Sequence, residues 1–201
     1  LAKTDAWFDL VVMDACLMAN LETAQALKDH ASYFVSSEDF VPGMGGALSD
    51  WLGELYVYPD CGGRYAGKVF CDFAQAKYSS LDNEEFSRLL TWSMIDLSMI
   101  DKVSACFDEM FELVCKTYIE LPWDLAAFSE ALDSSQFFGI GAENMMDLGS
   151  MFYLPEFIQW IPLDLRNRMV SALGDAVVYC VKGEGRSESL GLSFCYAGSF
   201  N

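Results

Sequence analysis

The hydrophobic pattern near the start of the chain predicts a strand followed closely by a helix. Residues Phe8 to Met13 form a short run of mostly apolar and β-branched side chains, which is typical of a strand buried on both faces. The pattern from Leu17 to Lys28 then predicts a helix. This junction places Cys16 at the carboxyl end of the strand and at the amino terminus of the helix.

The rest of the pattern predicts further helices and strands that act as scaffold. Residues Ile100 to Thr117 give the clearest amphipathic helix, because Val103, Phe107 and Met110 lie at helical spacing. The other predicted helices are Leu48 to Leu55, Tyr65 to Tyr78, Leu121 to Leu132, Asn144 to Tyr153 and Leu163 to Val181, and the other predicted strands are Thr91 to Leu97 and Leu190 to Tyr196. Helices that alternate with buried strands indicate an α/β fold.

The composition supports one domain with a sizeable core and narrows the classes of partner. The chain has 201 residues, of which 53% are hydrophobic. Its 30 acidic and 12 basic residues give a formal charge of −18, which argues against nucleic-acid binding because phosphate contacts need clustered Lys and Arg. The same charge favours cationic substrates, although solubility explains it equally well. The seven cysteines and one histidine show no zinc-ligand spacing, and no apolar run approaches the roughly 20 residues that span a bilayer.

Cys16 and Asp14 are the candidate chemical groups of the first junction. Ligands bind at the carboxyl edge of open α/β sheets, and a helix amino terminus beside a thiol favours the thiolate. Asp14 shares a strand face with Cys16, roughly 6.5 Å away at about 3.3 Å of rise per residue. Because a nearby negative charge disfavours a thiolate, Asp14 is better suited to receive a cationic side chain whose carbonyl group lies against the sulfur. The alternative is a buried structural cysteine.

Several segments of the chain resemble the clostripain family of cysteine endopeptidases. The similar segments are Phe8 to Met18 with Glu22, Tyr33 to Asp39 with Pro42-Gly43, Met146 to Gly149, and Leu190 to Phe194. The first of these resembles the catalytic-cysteine motif of the family, and the second resembles its next strand and loop. One departure is Gly45-Gly46-Ala47, which stands where the family pattern has an aromatic residue after glycine.

The resemblance implies a caspase-like three-layer α/β sandwich with a mostly parallel sheet, and hydrolysis of peptide bonds after Arg or Lys. Cys16 would be the nucleophile, and Asp14 would give the primary specificity pocket its negative charge. Ser37, Glu38 and Asp39, which follow the neighbouring strand, would line the same pocket. The substrates would be proteins or peptides with basic residues, and the enzyme would be a secreted or cell-envelope protein of a bacterium. The resemblance requires no cofactor, although it allows calcium as an aid.

The single histidine of the chain, His30, lies too far from Cys16 to act as its base. A continuous helix from Leu17 to Asp29, at about 1.5 Å per residue, would carry His30 roughly 20 Å from the thiol. A cysteine peptidase normally uses a histidine to generate its thiolate and to protonate the leaving amine. In the resembling family this histidine is followed by glycine and precedes the cysteine by several tens of residues. We therefore expect residues 1–201 to be the cysteine-bearing, heavy-chain-like portion of one peptidase domain, completed by an upstream light chain; the alternative is a chain that has merely lost its amino-terminal half.

Two other functional interpretations stay open at the level of the sequence. A catalytically inactive relative that acts as a binding module would keep the fold and lack the upstream histidine. A flavodoxin-like redox protein would explain an α/β sheet, but it would leave Asp14 and Cys16 without a joint role.

Overall fold

The computed structural model describes residues 6–120, 135–139, 145–153 and 161–196. Its strands are β1 (Phe8–Val12), β2 (Ala31–Ser36), β3 (Thr91–Asp96), β4 (Phe137–Phe138), β5 (Met145–Asp147), β6 (Val177–Lys182) and β7 (Ser193–Cys195). Its helices are α1 (Leu21–Leu27), α2 (Leu48–Val57), α3 (Gly62–Ser79), α4 (Glu84–Arg88), α5 (Ile100–Glu120) and α6 (Leu163–Ala176). The helix expected from Leu121 to Leu132 lies outside the described residues.

A four-stranded sheet, ordered β1-β2-β3-β6, forms the centre of the described structure. β1 and β2 are parallel, with Phe8 opposite Ala31 and Val12 opposite Val35. β3 is antiparallel to both β2 and β6, so β1, β2 and β6 run in one direction and β3 runs against them. The carboxyl ends of β1 and β2 therefore meet at one edge of the sheet, where Cys16 follows the first strand.

Helices cover both faces of this sheet. α3 packs on one face, where its Phe70 joins a core that contains Val35 and Trp92. α1, α5 and α6 pack on the other face, around a core that contains Phe34 and Ile95. Neighbouring residues of β2, Phe34 and Val35, thus face opposite layers, as the pleat of a strand requires. The α/β class and the three-layer arrangement predicted from the sequence are confirmed.

A smaller antiparallel sheet, ordered β4-β5-β7, supports the segment that leads from Cys16 into α1. Its strand β7 forms an isolated parallel bridge between Ser193 and Asn20. Ser193 N also donates a hydrogen bond to Ala19 O at 3.0 Å, and the Ser193 hydroxyl lies 3.1 Å from the same oxygen. These bonds hold the chain after Cys16 against the second sheet.

Two of the predicted helices contain strands. The helix expected from Asn144 to Tyr153 is wrong, because Met145–Asp147 is strand β5 and only Ser150–Tyr153 forms a 3₁₀ turn. The helix expected from Leu163 to Val181 ends at Ala176, and strand β6 follows at once. The run that begins at Val177 is rich in β-branched and aromatic side chains, which favour strands, and pairing with β3 decides its conformation.

The surroundings of Cys16 also differ from the expectation. β1 is an edge strand of the described sheet, so its residues are exposed or half-buried and not buried on both faces as predicted. α1 begins at Leu21 rather than at Leu17, because Leu17 has a φ of +60° and cannot be helical. Asn20 caps the helix by accepting a hydrogen bond from Thr23 N at 2.7 Å. Cys16 therefore lies in a turn ahead of the helix, and its expected placement at the helix amino terminus is wrong.

Candidate active site

A tight turn presents Cys16 at the carboxyl edge of the central sheet. The segment that follows β2 holds this turn through the backbone. Leu17 N donates to Asp39 O at 3.3 Å, and Ala19 N donates to Ser37 O at 2.9 Å. The thiol therefore sits on backbone that is fixed between the ends of two neighbouring strands.

The Cys16 side chain is half-buried and contacts Val41. Its sulfur accepts a hydrogen bond from Val41 N at 3.2 Å and lies 3.6 Å from Val41 O. A thiol can donate to a carbonyl oxygen, and a thiolate can accept from an N–H. One residue thus offers a partner for each protonation state of the sulfur.

The carboxylate of Asp14 is held by residues 43–46, here called the glycine loop. Gly46 N lies 2.9 Å from each of the two carboxylate oxygens. Gly45 has a φ of +63°, and a Cβ at this position would lie 2.4 Å from Asp14 Oδ2. A Cβ at Gly46 would lie 2.5 Å from the ring of Phe70. The glycines that depart from the family pattern therefore allow the loop to close directly onto Asp14.

Tyr78 lies against the glycine loop. Its hydroxyl donates to Gly45 O at 2.8 Å. The pKa of Tyr78 is raised to about 12, chiefly by burial and then by electrostatic interaction with Asp14 and Cys16. The phenol therefore stays protonated and continues to donate at neutral pH.

Ser37 and Asp39 line a cleft of about 420 Å³, whose wall also includes Val41, the residue that contacts Cys16. The Ser37 hydroxyl lies 2.9 Å from Thr91 Oγ1. The Asp39 side chain is buried and forms an ion pair with Arg186, whose Nε lies 2.6 Å from Asp39 Oδ2. The negative charge of Asp39 is therefore balanced within the chain.

Arg186 is a residue of the site that the sequence analysis missed. It lies 147 positions after Asp39, and its guanidinium also lies over the ring of Phe138, 5.5 Å from the ring centroid. With 30 acidic residues in the chain, the sequence offers this arginine many carboxylates and no signal that selects one. Only the folded structure shows which pair forms.

Glu38, expected to line the pocket with Ser37 and Asp39, instead lies fully buried outside the cleft. Its Oε2 accepts hydrogen bonds from Gly191 N at 3.1 Å and from the Ser189 hydroxyl. Burial, and next the charge of Asp147, raise the pKa of Glu38 well above its usual range. Glu38 therefore acts as a neutral acid inside the protein and joins the segment after β2 to the segment before β7.

His30 and Cys16 lie at opposite ends of the strands β1 and β2. His30 directly precedes β2, and its carbonyl oxygen accepts a hydrogen bond from Phe8 N, at the start of β1, at 2.9 Å. Cys16 lies beyond the other end of β1, and the strand alone spans about 13 Å at about 3.3 Å per residue. His30 is therefore too distant to act as the base for this thiol, in agreement with the sequence.

The described residues offer no ready site for a metal ion. In these parts of the chain, no group of three or more His, Cys, Asp or Glu side chains comes together to hold one. Over the same ranges, none of the helices has both the length and the apolar character needed to cross a membrane.

Solved structures of bacterial proteases share this fold. A cysteine protease from B. fragilis has a TM-score of 0.67 and 16% identity, over 96% of this chain and 80% of its own. A clostripain from Bacteroides thetaiotaomicron, solved with the peptide inhibitor BTN-VLTK-AOMK, has a TM-score of 0.68 and 17% identity, over 96% of this chain and 81% of its own. A secreted C11 cysteine protease from Bacteroides thetaiotaomicron, solved with an irreversible peptide inhibitor, has a TM-score of 0.65 and 16% identity, over 97% of this chain and 54% of its own. At these identities the likeness establishes the fold.

Comparison of the sequence with family models establishes more than the fold. Among curated proteins, none matches the chain. The model of the clostripain family matches residues 1–198, which is nearly the whole length. The match agrees with the placement of a cysteine at the carboxyl edge of a three-layer α/β sandwich. The chain therefore belongs to the clostripain family and is a cysteine peptidase.

Proposed function

We propose that the protein is an endopeptidase that cleaves after Arg or Lys, with Cys16 as nucleophile and Asp14 as the receptor of the basic side chain. One observation carries this proposal. A thiol and a carboxylate two residues apart both follow β1 at the carboxyl end of the sheet, with the Cys16 sulfur against Val41 N and the Asp14 carboxylate against Gly46 N. Such a pair can hold the scissile bond and the side chain that precedes it in a fixed relation, which lowers the entropic cost of the reaction.

Asp14 has the contacts expected of a cation receptor. It accepts hydrogen bonds from Gly46 N, and a carboxylate offers about four lone-pair sites, so sites are left for a substrate. Within the described parts of the chain, Asp14 forms no ion pair, whereas Asp39 is paired with Arg186. Asp14 therefore keeps its charge for a bound Lys or Arg, while Ser37 and Asp39 form a wall of the adjoining cleft.

The proposed reaction passes through an acyl-enzyme. A histidine takes the thiol proton, and the Cys16 sulfur attacks the peptide carbonyl carbon, so that a C–S bond forms, the C=O π bond opens and the carbonyl oxygen becomes negative. The C–N bond then breaks, the leaving amine takes a proton from this histidine, and water hydrolyses the thioester with the same histidine as base. The backbone N–H of Cys16 donates to no partner among the described residues and is suited to stabilise the oxyanion.

We assign that histidine to a separate segment or light chain, because His30 lies at the start of β1 and Cys16 lies beyond the end of this strand. Two surfaces of the described chain are open to a partner. The outer edge of β1 pairs with no other described strand, and an open edge is a template for a further strand. α2 has no buried residue and exposes Leu52, Tyr56 and Val57 by 58%, 89% and 62%.

Mass spectrometry of the active enzyme tests the assignment of the base. We expect a polypeptide with a histidine-glycine pair to be present together with the Cys16 polypeptide. An active preparation that contains residues 1–201 and no further sequence would contradict the assignment.

A panel of fluorogenic peptides that differ only in the residue before the cleaved bond tests the proposed roles of Cys16 and Asp14. Cys16→Ala should abolish turnover of every peptide. Asp14→Asn should lower kcat/KM for Arg and Lys peptides by about 10- to 100-fold, since a hydrogen bond to a charged group contributes about 1.5–3 kcal/mol. The weaker cleavage of neutral peptides should change little. Asp50→Asn removes the same charge from an exposed position on α2 and is the matched control.

Three results of the panel would argue against the proposal. Substantial turnover by Cys16→Ala would exclude this residue as nucleophile. Equal losses on basic and neutral peptides in Asp14→Asn would exclude its role as receptor. A complete enzyme, with its histidine segment present, that cleaves none of the peptides would favour the inactive binding module instead.

We also propose a secreted or cell-envelope location in a bacterium. The structural likeness to a secreted protease from Bacteroides thetaiotaomicron supports this setting. Fractionation of the producing cells tests it, with activity expected in the medium or the envelope. Activity confined to the cytoplasm would contradict it.

A further inference from the structure

Lys77 makes contacts that a surface lysine does not usually make. It lies in the last turn of α3, and its side chain is half-buried. Its ammonium donates to three successive backbone oxygens of the glycine loop, those of Met44, Gly45 and Gly46, at 3.0, 3.0 and 2.8 Å. Because an ammonium has three donors, this loop takes all of them.

One peptide group links Lys77 to Asp14. The carbonyl oxygen of Gly45 accepts from Lys77 Nζ at 3.0 Å and from the Tyr78 hydroxyl at 2.8 Å. The N–H of the same peptide group belongs to Gly46 and donates to both oxygens of Asp14 at 2.9 Å. Hydrogen bonds in such a chain polarise one another, so a positive charge on the carbonyl side strengthens the N–H donor on the Asp14 side.

We infer that Lys77 is a positioning residue for substrate specificity, which sets the position of the Asp14 carboxylate through the glycine loop. This inference rests on the proposed function, in which Asp14 receives the basic side chain of the substrate. Lys77 acts on the carboxylate through a peptide group and not on the sulfur. Its removal should therefore weaken the binding of basic substrates more than it slows the bond-breaking step.

A purely structural role for Lys77 would give a different result. If the lysine only stabilised α3 or the loop, its removal would lower turnover of basic and neutral peptides alike. Lys68 is a matched control, because it lies on the same helix, is exposed and is paired with Asp72 at 2.6 Å. Tyr78→Phe provides a second comparison, because it removes a donor to the same Gly45 oxygen without removing a positive charge.

The experiment measures KM and kcat of the active enzyme on peptides with Lys, Arg or a neutral residue before the cleaved bond. Lys77→Met keeps the length of the side chain and removes its ammonium. We expect KM for the basic peptides to rise about tenfold, while kcat for these peptides stays close to the wild-type value. Both KM and kcat for the neutral peptides should also stay close to wild type. Iodoacetamide should alkylate Cys16 at the wild-type rate, and Lys68→Met should match wild type throughout. Lys77→Gln, whose amide donates without a charge, should show the same change if the methionine variant fails to fold.

The possible outcomes separate this inference from the function on which it rests. Unchanged KM for basic peptides in the Lys77 variants, with Asp14→Asn still selective, overturns the inference and leaves the proposed function intact. An Asp14→Asn enzyme that keeps its preference for basic residues overturns the proposed function itself. Equal losses on all peptides, with slower alkylation of Cys16, show a structural role for Lys77 and also overturn the inference.

Discussion

Glu38→Gln should change how the stability of the protein depends on pH. Glu38 is fully buried, and its Oε2 accepts a hydrogen bond from the Ser189 hydroxyl. Among the described side chains, its Oε1 has no partner unless a carboxyl proton supplies a hydrogen bond to Asp147. The other ionisable groups around this carboxyl are the Cys180 thiol and Lys182, whose Nζ donates to Ser189 O at 2.6 Å.

The size and direction of the effect come from the proton that Glu38 keeps. Burial and the charge of Asp147 raise the pKa of Glu38 in the folded protein, whereas a glutamate in an unfolded chain has a pKa of about 4.3. Above that pH the folded state binds one more proton than the unfolded state. Its stability therefore falls as pH rises, by about 1.4 kcal/mol per pH unit, until the pH reaches the folded pKa. Glutamine keeps a donor toward Asp147 and has no proton to lose, so the variant should lack this slope.

Urea unfolding from about pH 5 to about pH 8 measures the difference, because each point gives a free energy of unfolding. The measurements use a Cys16→Ala background, which prevents self-digestion. We expect the stability of Glu38→Gln to fall less steeply with pH than that of the parent protein. Glu112→Gln, at an exposed position on α5, is the matched control and should follow the parent. Parallel profiles for Glu38→Gln and the parent would refute a protonated Glu38.

Two further variants test the packing and the ion pair through their urea midpoints. Phe70→Ala should lower the free energy of unfolding by about 3–5 kcal/mol, because its ring is fully buried and packs edge-on against Trp51 and Trp92. A loss below about 1 kcal/mol would show that the α3 face is loosely packed. Arg186→Gln should cost about 3 kcal/mol, because it leaves the buried Asp39 without a counter-charge. Adding Asp39→Asn should restore much of that loss, and no recovery would mean that the pair contributes little.

The fold was predictable where a segment carries its own pattern. The strand expected from Thr91 to Leu97 is observed as Thr91–Asp96, because a continuous buried run is recognisable without its neighbours. The strand at Met145–Asp147 was not predictable in this way, because three residues are too few to show a period. β6 was hidden because it follows α6 without a break and is settled by pairing with β3.

In the candidate site, too, contacts between residues that are distant in the sequence were not predictable. Strand geometry predicts Asp14 and Cys16 as a pair on one face, but β1 ends at Val12 and both residues lie beyond it, so the turn and its backbone bonds to the segment after β2 set their relation. The pair of Asp39 and Arg186, by contrast, joins residues 147 positions apart. The contact of Lys77 with the glycine loop likewise depends on the packing of α3 over the carboxyl edge of the sheet. No local pattern in the sequence encodes either contact.

The most direct test of the account is the residue to which a substrate-like inhibitor becomes attached. A peptidyl acyloxymethyl ketone that ends in lysine should alkylate the active enzyme, and peptide mapping by mass spectrometry then locates the adduct. We predict modification of Cys16 and of no other cysteine, at a rate that Asp14→Asn reduces and Asp50→Asn does not. An adduct on another residue, or peptidase activity that survives complete modification of Cys16, would contradict the account.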